Sequence, residues 1–131
     1  MPTIFKALLA APLTAIAFGL GALSDASAGA DTDAAETPVS SSVMEQGEAL
    51  YLKNCRLCHG SKGTSGKPLA GNEMLEDADY VASVILVGPG YMASFAEHLS
   101  DDEIAMIVTY VRNSWGHAHG PMAASDVAEL R

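Results

Sequence analysis

Cys55, Cys58 and His59 carry the clearest chemistry in this chain, because together they read C-x-x-C-H. This pattern is typical of covalent attachment of a c-type haem, in which two thiols form thioethers with one ring. The two-residue spacing lets a single helical turn present both sulfurs, and the imidazole that follows can ligate the iron. The sequence contains no other cysteine, so no thiol remains for a structural disulfide.

Two other functions also use a C-x-x-C pair. A thioredoxin-type redox pair requires a βαβ context, which the sequence does not indicate. A structural zinc site requires further ligands, and His117 and His119 are the residues that could nominally supply them. Both histidines lie just past the last long helix expected, where surface residues are common, and by themselves these two side chains do not make a metal site.

The beginning of the chain resembles an export signal, which favours haem attachment. Lys6 gives a positive start, residues 7–23 are apolar apart from Thr14, and Ala26-Ser27-Ala28 offers a cleavage site with small residues. We expect a signal peptide over 1–28, cleavage near Gly29, and a periplasmic mature protein. An uncleaved membrane anchor is the alternative, but the apolar run is short for a span of about 20 residues. Nothing else in the sequence could cross a bilayer.

The composition indicates one small acidic domain. The chain has 7 Lys and Arg against 16 Asp and Glu, for a formal net charge of −9. Removal of residues 1–28 takes away Lys6 and Asp25, so the mature net charge is unchanged. This charge argues against nucleic acid and anionic membranes as partners. It favours redox protein partners that present a basic docking face.

The pattern along the chain predicts an all-α fold. Residues 29–41 are small, acidic and unpatterned, so we expect a flexible lead before a domain at 42–131. A capping box at Ser42–Glu45 predicts the first helix, which delivers Cys55 at its C-terminal end. Gly47 inside that helix indicates that another helix crosses closely. A further helix is expected at 79–87, where Gly88-Pro89-Gly90 stops it. A second capping box at Ser100–Glu103 predicts a helix that runs to about Ser114, with Gly116 as the stop signal. A short last helix is expected at 125–130.

Met92 is the residue that we expect to ligate the iron on the side opposite His59. An electron carrier needs a closed coordination sphere, and a methionine thioether provides one while raising the reduction potential. Met92 lies in a loop between Gly90 and Phe95 that can fold over the open face of the ring. The other candidates are less well placed, being in or near helices or close to turns: Met44, Met74, Met106, Met122, His98, His117 and His119.

From about Met44 to Arg131 the chain resembles the class I cytochromes c, the small bacterial type with a single haem. Cys55, Cys58 and His59 match the attachment motif, and Gly47 and Tyr51 match a pair on the family's first helix. The resemblance implies three to five short helices around one covalent haem. It also implies that Gly47 and Tyr51 pack on the last long helix, here through Ile107 and Tyr110.

The loops and the C-terminal end extend this resemblance. Pro68 resembles the family proline whose carbonyl accepts a hydrogen bond from the proximal histidine, which would fix the ring tautomer of His59. Met92-Ala93-Ser94-Phe95 resembles the distal loop Met-Pro-x-Phe, with Ala93 in place of the usual proline. The stretches 100–116 and 126–131 are similar to cytochromes that accompany periplasmic dehydrogenases.

The sequence therefore favours an electron carrier rather than an enzyme. It would be a free carrier or the cytochrome subunit of a dehydrogenase, with an oxidase or another cytochrome as acceptor. A haem enzyme or gas sensor with a labile sixth ligand is the alternative, supported only by the loop-loosening effect expected of Ala93. A structural zinc module is a third hypothesis.

Overall fold

A computed structural model describes residues 38–131, and five α-helices form the fold in this range. The signal peptide expected over 1–28 and the lead up to residue 37 lie outside the described residues. The helices are α1 Ser41–Asn54, α2 Arg56–His59, α3 Ala78–Val87, α4 Asp101–Arg112 and α5 Ala124–Glu129. A 3₁₀ turn at Glu73–Glu76 precedes α3. Residues 38–131 contain no strand, which confirms the all-α prediction. None of the helices in this range is long and apolar enough to span a bilayer.

Helix α1 begins earlier than the sequence pattern indicated. Ser40 is its N-cap, with extended backbone, and the Ser40 hydroxyl accepts a hydrogen bond from the Val43 amide. The capping box expected at Ser42 is therefore wrong, and the helix begins at Ser41. Three consecutive serines could all cap a helix, and only the backbone conformation of Ser40 distinguishes it from the other two.

Helices α1 and α4 cross closely at Gly47. A Cβ atom at this position would collide with the Met106 carbonyl and with the Cβ atom of Tyr110. One turn later, Tyr51 is fully buried, and its ring centroid lies 5.4 Å from that of Tyr110 and 5.4 Å from that of Trp115. The prediction that Gly47 marks a close crossing is confirmed, and Tyr110 is one of its partners.

The predicted stop of α3 and the predicted capping box of α4 are both present. The Asp77 carboxylate accepts from the Tyr80 amide at 2.9 Å, which starts α3 one residue earlier than expected. Gly88 ends this helix with a φ of 65°, a left-handed conformation that favours glycine. Ser100 and Glu103 form the predicted capping box at the start of α4.

Helix α4 ends at Arg112, short of the predicted Ser114, and Gly116 does not terminate it. The Asn113 amide side chain donates to the Thr109 carbonyl at 2.7 Å and to the Gly120 carbonyl at 2.9 Å. These bonds satisfy a terminal carbonyl of the helix and draw the following segment back across its end. The chain then turns through Trp115, whose φ is 55°.

Arg112 connects this end of α4 to the 3₁₀ turn. Only 6% of its surface is exposed, and its guanidinium donates to the carbonyls of Leu75, Glu76 and Gly120 at 2.9–3.0 Å. Burial lowers the pKa of Arg112, while the nearby Asp77 and Asp79 oppose this effect. The planar guanidinium thus joins two distant loops with three charge-assisted hydrogen bonds.

We predict that Gly47→Ala destabilises the protein by about 1–3 kcal/mol, because the new methyl group forces α1 away from the α4 backbone. Helix propensity alone predicts the opposite sign, a gain of about 1 kcal/mol. Urea unfolding of the haem-bound protein measures the change. Ala49→Gly, at an exposed position on the same helix, is the propensity control. Stabilisation by Gly47→Ala would contradict the close crossing.

Candidate functional site

The helices and loops of the domain enclose a cavity of about 640 Å³. Its walls are mainly apolar, with Leu75, Val81 and Ile85 on one side and Ile107 and Val111 of α4 on another. Ligand sites in proteins have volumes of about 300–1,000 Å³ and apolar walls with a few polar groups. The cavity thus has the size and the lining of a site for a large apolar ligand.

The C-x-x-C-H residues lie at this cavity. Helix α1 ends with Cys55 as its C-cap, whose amide donates to the Tyr51 carbonyl, and α2 carries Cys58 and His59. All three residues line the cavity. Cys55 lies at the break between the two helices, since α1 ends at Asn54 and α2 begins at Arg56.

The His59 ring is oriented by the carbonyl of Lys67, at 3.0 Å from Nδ1. The residue expected for this role, Pro68, is one position too late, because its carbonyl instead accepts from the Asn72 amide side chain at 3.4 Å. Gly66, with a φ of 59° and no room for a Cβ atom beside the Cys58 carbonyl, places the Lys67 carbonyl at the ring. Nδ1–H therefore donates to Lys67, and the lone pair on Nε2 is available to a metal.

Two methionines line the cavity, Met92 and Met74. Met92 is half-buried, whereas Met74 is exposed in the 3₁₀ turn. Met122 is buried in the core, and Met44 packs against that core. The cavity therefore brings the predicted distal ligand together with the attachment motif, and it adds Met74 as a second thioether.

The loop that carries Met92 is tied to α3 through the residues that follow Met92. The Ser94 hydroxyl donates to the Leu86 carbonyl at 2.5 Å, and the Phe95 amide donates to the Ile85 carbonyl at 3.0 Å. Gly88 lies so close to the loop backbone that a Cβ atom would collide with Ala93 and Ser94. The loop is thus held by backbone contacts although Ala93 stands in place of a proline.

Burial affects two titratable groups beside the cavity. The Tyr51 hydroxyl donates to the Gly60 carbonyl at 2.6 Å, and burial raises the pKa of Tyr51 to about 12. Burial, together with the neighbouring Cys58, raises the pKa of Cys55 to about 11. The Tyr51 phenol and, before any haem is attached, the Cys55 thiol are therefore protonated at neutral pH.

His117 has a structural contact that sequence reasoning missed. Its Nε2 accepts a hydrogen bond from the Gly71 amide at 3.1 Å, which ties the segment after α4 to the loop that follows Lys67. The ring proton of neutral His117 then lies on Nδ1 and is directed at Nε2 of His119, 3.2 Å away. The signal available in the sequence was only that a polar residue follows Trp115-Gly116.

The zinc hypothesis finds no support between residues 38 and 131. This part of the chain contains no group of three or more His, Cys, Asp or Glu side chains that could hold a metal ion. The two histidines considered as zinc ligands instead form hydrogen bonds: His117 with the Gly71 amide, and His117 and His119 with each other. A thioredoxin-type βαβ context is likewise missing from these residues.

The residues present fit a covalently attached haem. Two thiols lie at one wall of an apolar cavity, beside a histidine whose outward nitrogen is already bonded to a carbonyl and whose other nitrogen is free. These are the groups that c-type haem attachment and iron ligation require. A methionine thioether at the same cavity supplies a second soft ligand.

Comparison with known proteins agrees with this chemistry. A family profile described as "Cytochrome C oxidase, cbb3-type, subunit III" matches residues 42–111, which is more than half of the chain. The chain belongs to this family of c-type cytochrome domains. Membership implies a covalently bound c-type haem and a role in electron transfer.

The similar curated proteins are cytochrome c subunits of dehydrogenases. The chain is 37% identical over 103 residues to the cytochrome c subunit of alcohol dehydrogenase (quinone) from Gluconobacter oxydans, covering 65% of this chain. It is 28% identical over 106 residues to the gluconate 2-dehydrogenase cytochrome c subunit from Pantoea cypripedii, covering 66% of this chain. The matches cover only 22% and 24% of those subunits, so the chain spans less than a quarter of the length of the relatives it matches.

Because burial raises the pKa of Tyr51 from about 10 to about 12, the folded state holds its phenol proton more tightly than the unfolded state. This contribution to stability is complete below pH of about 10 and is lost as the pH rises towards about 12. We predict that Tyr51→Phe weakens this alkaline loss, as measured by urea unfolding across that range. Tyr91→Phe, which changes an exposed ring, should leave it unaltered. An identical alkaline loss in Tyr51→Phe would contradict the assignment.

We predict that His117→Ala speeds hydrogen exchange of the Gly71 amide by about threefold to tenfold, the equivalent of one hydrogen bond. His117→Asn should restore protection, because an amide oxygen can also accept from this N–H. Exchange measured by NMR on the reduced, haem-bound protein tests the contact. Unchanged exchange at Gly71 in His117→Ala would show that the histidine does not hold this loop.

Proposed function

We propose that this domain is a one-electron carrier in which Cys55 and Cys58 hold one haem by thioethers. In this proposal His59 and Met92 are the axial ligands. The observation that carries it is the apolar cavity of about 640 Å³, on which all four residues converge. The single C-x-x-C-H motif and the absence of further cysteines support a count of one haem.

Each residue has a separate task in this proposal. The Lys67 carbonyl fixes the ring of His59 and makes its free nitrogen a stronger donor. The thioether of Met92 favours the reduced state and raises the potential. The apolar walls exclude water, which further tunes the potential. When bound, the haem supplies a reversible one-electron change at its iron.

The backbone contacts of the Met92 loop support a closed coordination sphere. The only feature that favoured an open or labile sixth position was the missing proline at Ala93. Because Ser94, Phe95 and Gly88 tie this loop to α3, that substitution does not leave Met92 unsupported. A fixed pair of axial ligands suits electron transfer, which requires little change in geometry between the two oxidation states.

We further propose that the protein works in the periplasm, after cleavage of a signal peptide over 1–28. Its electron donor would be a periplasmic dehydrogenase, which is supported by the similarity to dehydrogenase cytochrome c subunits. Its acceptor would be an oxidase or another cytochrome. Both a free carrier and a subunit of the dehydrogenase are compatible with this proposal.

The acidic bulk of the protein would contribute to docking. A net charge of −9 favours, for the surface as a whole, a partner with a basic docking face. Exposed charges are screened within about 8–10 Å at ordinary ionic strength, so docking through them weakens as salt is added.

The two cavity methionines allow a matched test of the axial ligand. We predict that Met92→Ala abolishes the weak far-red absorption band that arises from sulfur-to-iron charge transfer in the oxidised protein. It should also lower the reduction potential by about 100 mV or more, because a thioether ligand raises it. Met74→Ala should retain the band. Spectra and redox titrations of both variants, purified with haem attached, provide the comparison.

The reverse pattern, with the band kept in Met92→Ala and lost in Met74→Ala, would assign the iron to Met74. A far-red band missing from the unmodified protein would contradict thioether ligation altogether.

A further inference from the structure

The charge around the haem-attachment motif has the opposite sign to that of the whole protein. Four of the six Lys and Arg residues between positions 38 and 131 lie in a stretch of 15 residues: Lys53, Arg56, Lys62 and Lys67. Glu48 and Glu73 flank this stretch, and no Asp or Glu occurs between them. Within the described residues, the acidic side chains are concentrated elsewhere: along the first half of α1, in the 3₁₀ turn, at the starts of α3 and α4, and on α5.

The four cations are exposed and available. All four side chains are exposed to solvent, and the salt bridge found between residues 38 and 131, Arg131 with Asp101, does not involve them. The two remaining cations of this range have structural tasks, because Arg112 is buried and Arg131 bonds to Asp101. The positive charge that a partner could meet in the described structure therefore comes from residues 53–67.

The backbone folds this stretch around the attachment motif. The Ser65 amide donates to the His59 carbonyl at 3.0 Å, and the Lys67 carbonyl lies at 3.0 Å from His59 Nδ1. Gly66 packs directly on the Cys58 carbonyl. The loop that carries Lys62 and Lys67 thus returns to the two residues that hold the haem, while Lys53 and Arg56 flank Cys55 along the chain.

An apolar side chain lies within this charged stretch. Leu57, between the two cysteines, is 88% exposed, and the adjacent Cys58 is exposed as well. Protein interfaces typically combine an apolar centre with a polar rim. We call Lys53, Arg56, Leu57, Lys62 and Lys67 the attachment face.

We propose that the attachment face is a docking surface for a redox protein that presents acidic groups around its own electron-exchange site. This inference rests on the proposed electron-transfer function and assigns one of its two partners. The positive attachment face then contacts an acidic partner, and the negative remainder of the surface contacts a basic partner. Donor and acceptor therefore need not compete for one surface. A protein is favoured over an anionic bilayer, because a planar membrane would also meet the repulsion of the acidic elements.

Oxidation of the reduced, haem-bound protein by two small oxidants of opposite charge measures the local potential at this face. Ferricyanide is a trianion and tris(phenanthroline)cobalt(III) is a trication. The protein loses one electron in each reaction and the oxidant gains one. We expect ferricyanide to react faster at low than at high ionic strength, and the cobalt complex to show the opposite dependence.

A pair of variants with equal net charge separates the attachment face from the whole molecule. Lys53→Gln/Lys62→Gln removes two positive charges from the face, and neither residue lines the cavity. Gln46→Glu/Ala128→Glu changes the net charge by the same amount at exposed sites on α1 and α5. At low ionic strength we expect the first variant to lower the ferricyanide rate by about threefold to tenfold. The second should have little effect.

Polyglutamate serves as the acidic macromolecular probe. It should slow ferricyanide oxidation of the unmodified protein by occupying the same face, and it should lose this effect in Lys53→Gln/Lys62→Gln. A ferricyanide rate that rises with salt, and that falls equally in both double variants, would show that net charge alone governs the approach and would overturn the proposal.

Other occupants give different results. Co-sedimentation with phosphatidylglycerol vesicles that is lost in Lys53→Gln/Lys62→Gln, without competition by polyglutamate, would assign the face to a membrane and overturn the proposal. A salt-sensitive dimer in sedimentation velocity that the same variant abolishes would assign it to a second copy. If neither oxidant oxidises the reduced, haem-bound protein, the proposed electron-transfer function is wrong. A wrong charge dependence would instead contradict only the docking proposal.

Discussion

The close crossing of α1 and α4 at Gly47 determines where the rest of the site can lie. Gly47, Tyr51 and Cys55 are spaced four residues apart, so the face of α1 that packs on α4 also directs Cys55 towards the cavity. On α4, Met106 and Tyr110 meet Gly47, while Ile107 and Val111 line the cavity. A side chain at Gly47 would separate the two helices and displace both the first thiol and the opposite wall.

Aromatic packing and long-range hydrogen bonds support this crossing at the C-terminal end of α4. Tyr51, Tyr110 and Trp115 pack with ring centroids 5.4–5.8 Å apart, and the Trp115 ring lies against Gly63. Arg112 and His117 then connect the end of α4 to the 3₁₀ turn and to Gly71. The same loop carries Lys67, whose carbonyl orients His59, so the end of α4 supports the ligand from a distance.

The sequence predicted the features that depend on local pattern. The attachment motif, the capping box at Ser100 and the stop of α3 at Gly88 each arise from residues near one another in the chain. The close crossing at Gly47 is a tertiary contact, but a glycine inside a helix was enough to predict it. The placement of Met92 at the cavity was also predicted. Met74, which lines the same cavity, was not favoured as an iron ligand. The all-α class followed from the absence of strand alternation and from the resemblance to small cytochromes.

Features set by tertiary contacts could not be predicted in the same way. The choice of Lys67 over Pro68 depends on how Gly66 turns the chain beside Cys58, which no local pattern specifies. Arg112 and His117 are bonded to residues 36 or more positions away, and a lone Arg or His in a sequence carries no sign of such partners. The net charge of −9 is a sum, and it does not show that the attachment face is positive while the rest of the surface is negative.

Covalent haem stoichiometry tests the central claim most directly. The full-length gene is expressed in a host that exports proteins and attaches c-type haem, and the purified protein is analysed by denaturing mass spectrometry and by the pyridine haemochrome spectrum. The account predicts one haem per chain that survives denaturation, attached at Cys55 and Cys58, and that is lost in Cys55→Ser/Cys58→Ser. Protein that carries no haem, or haem that dissociates on denaturation, would contradict it.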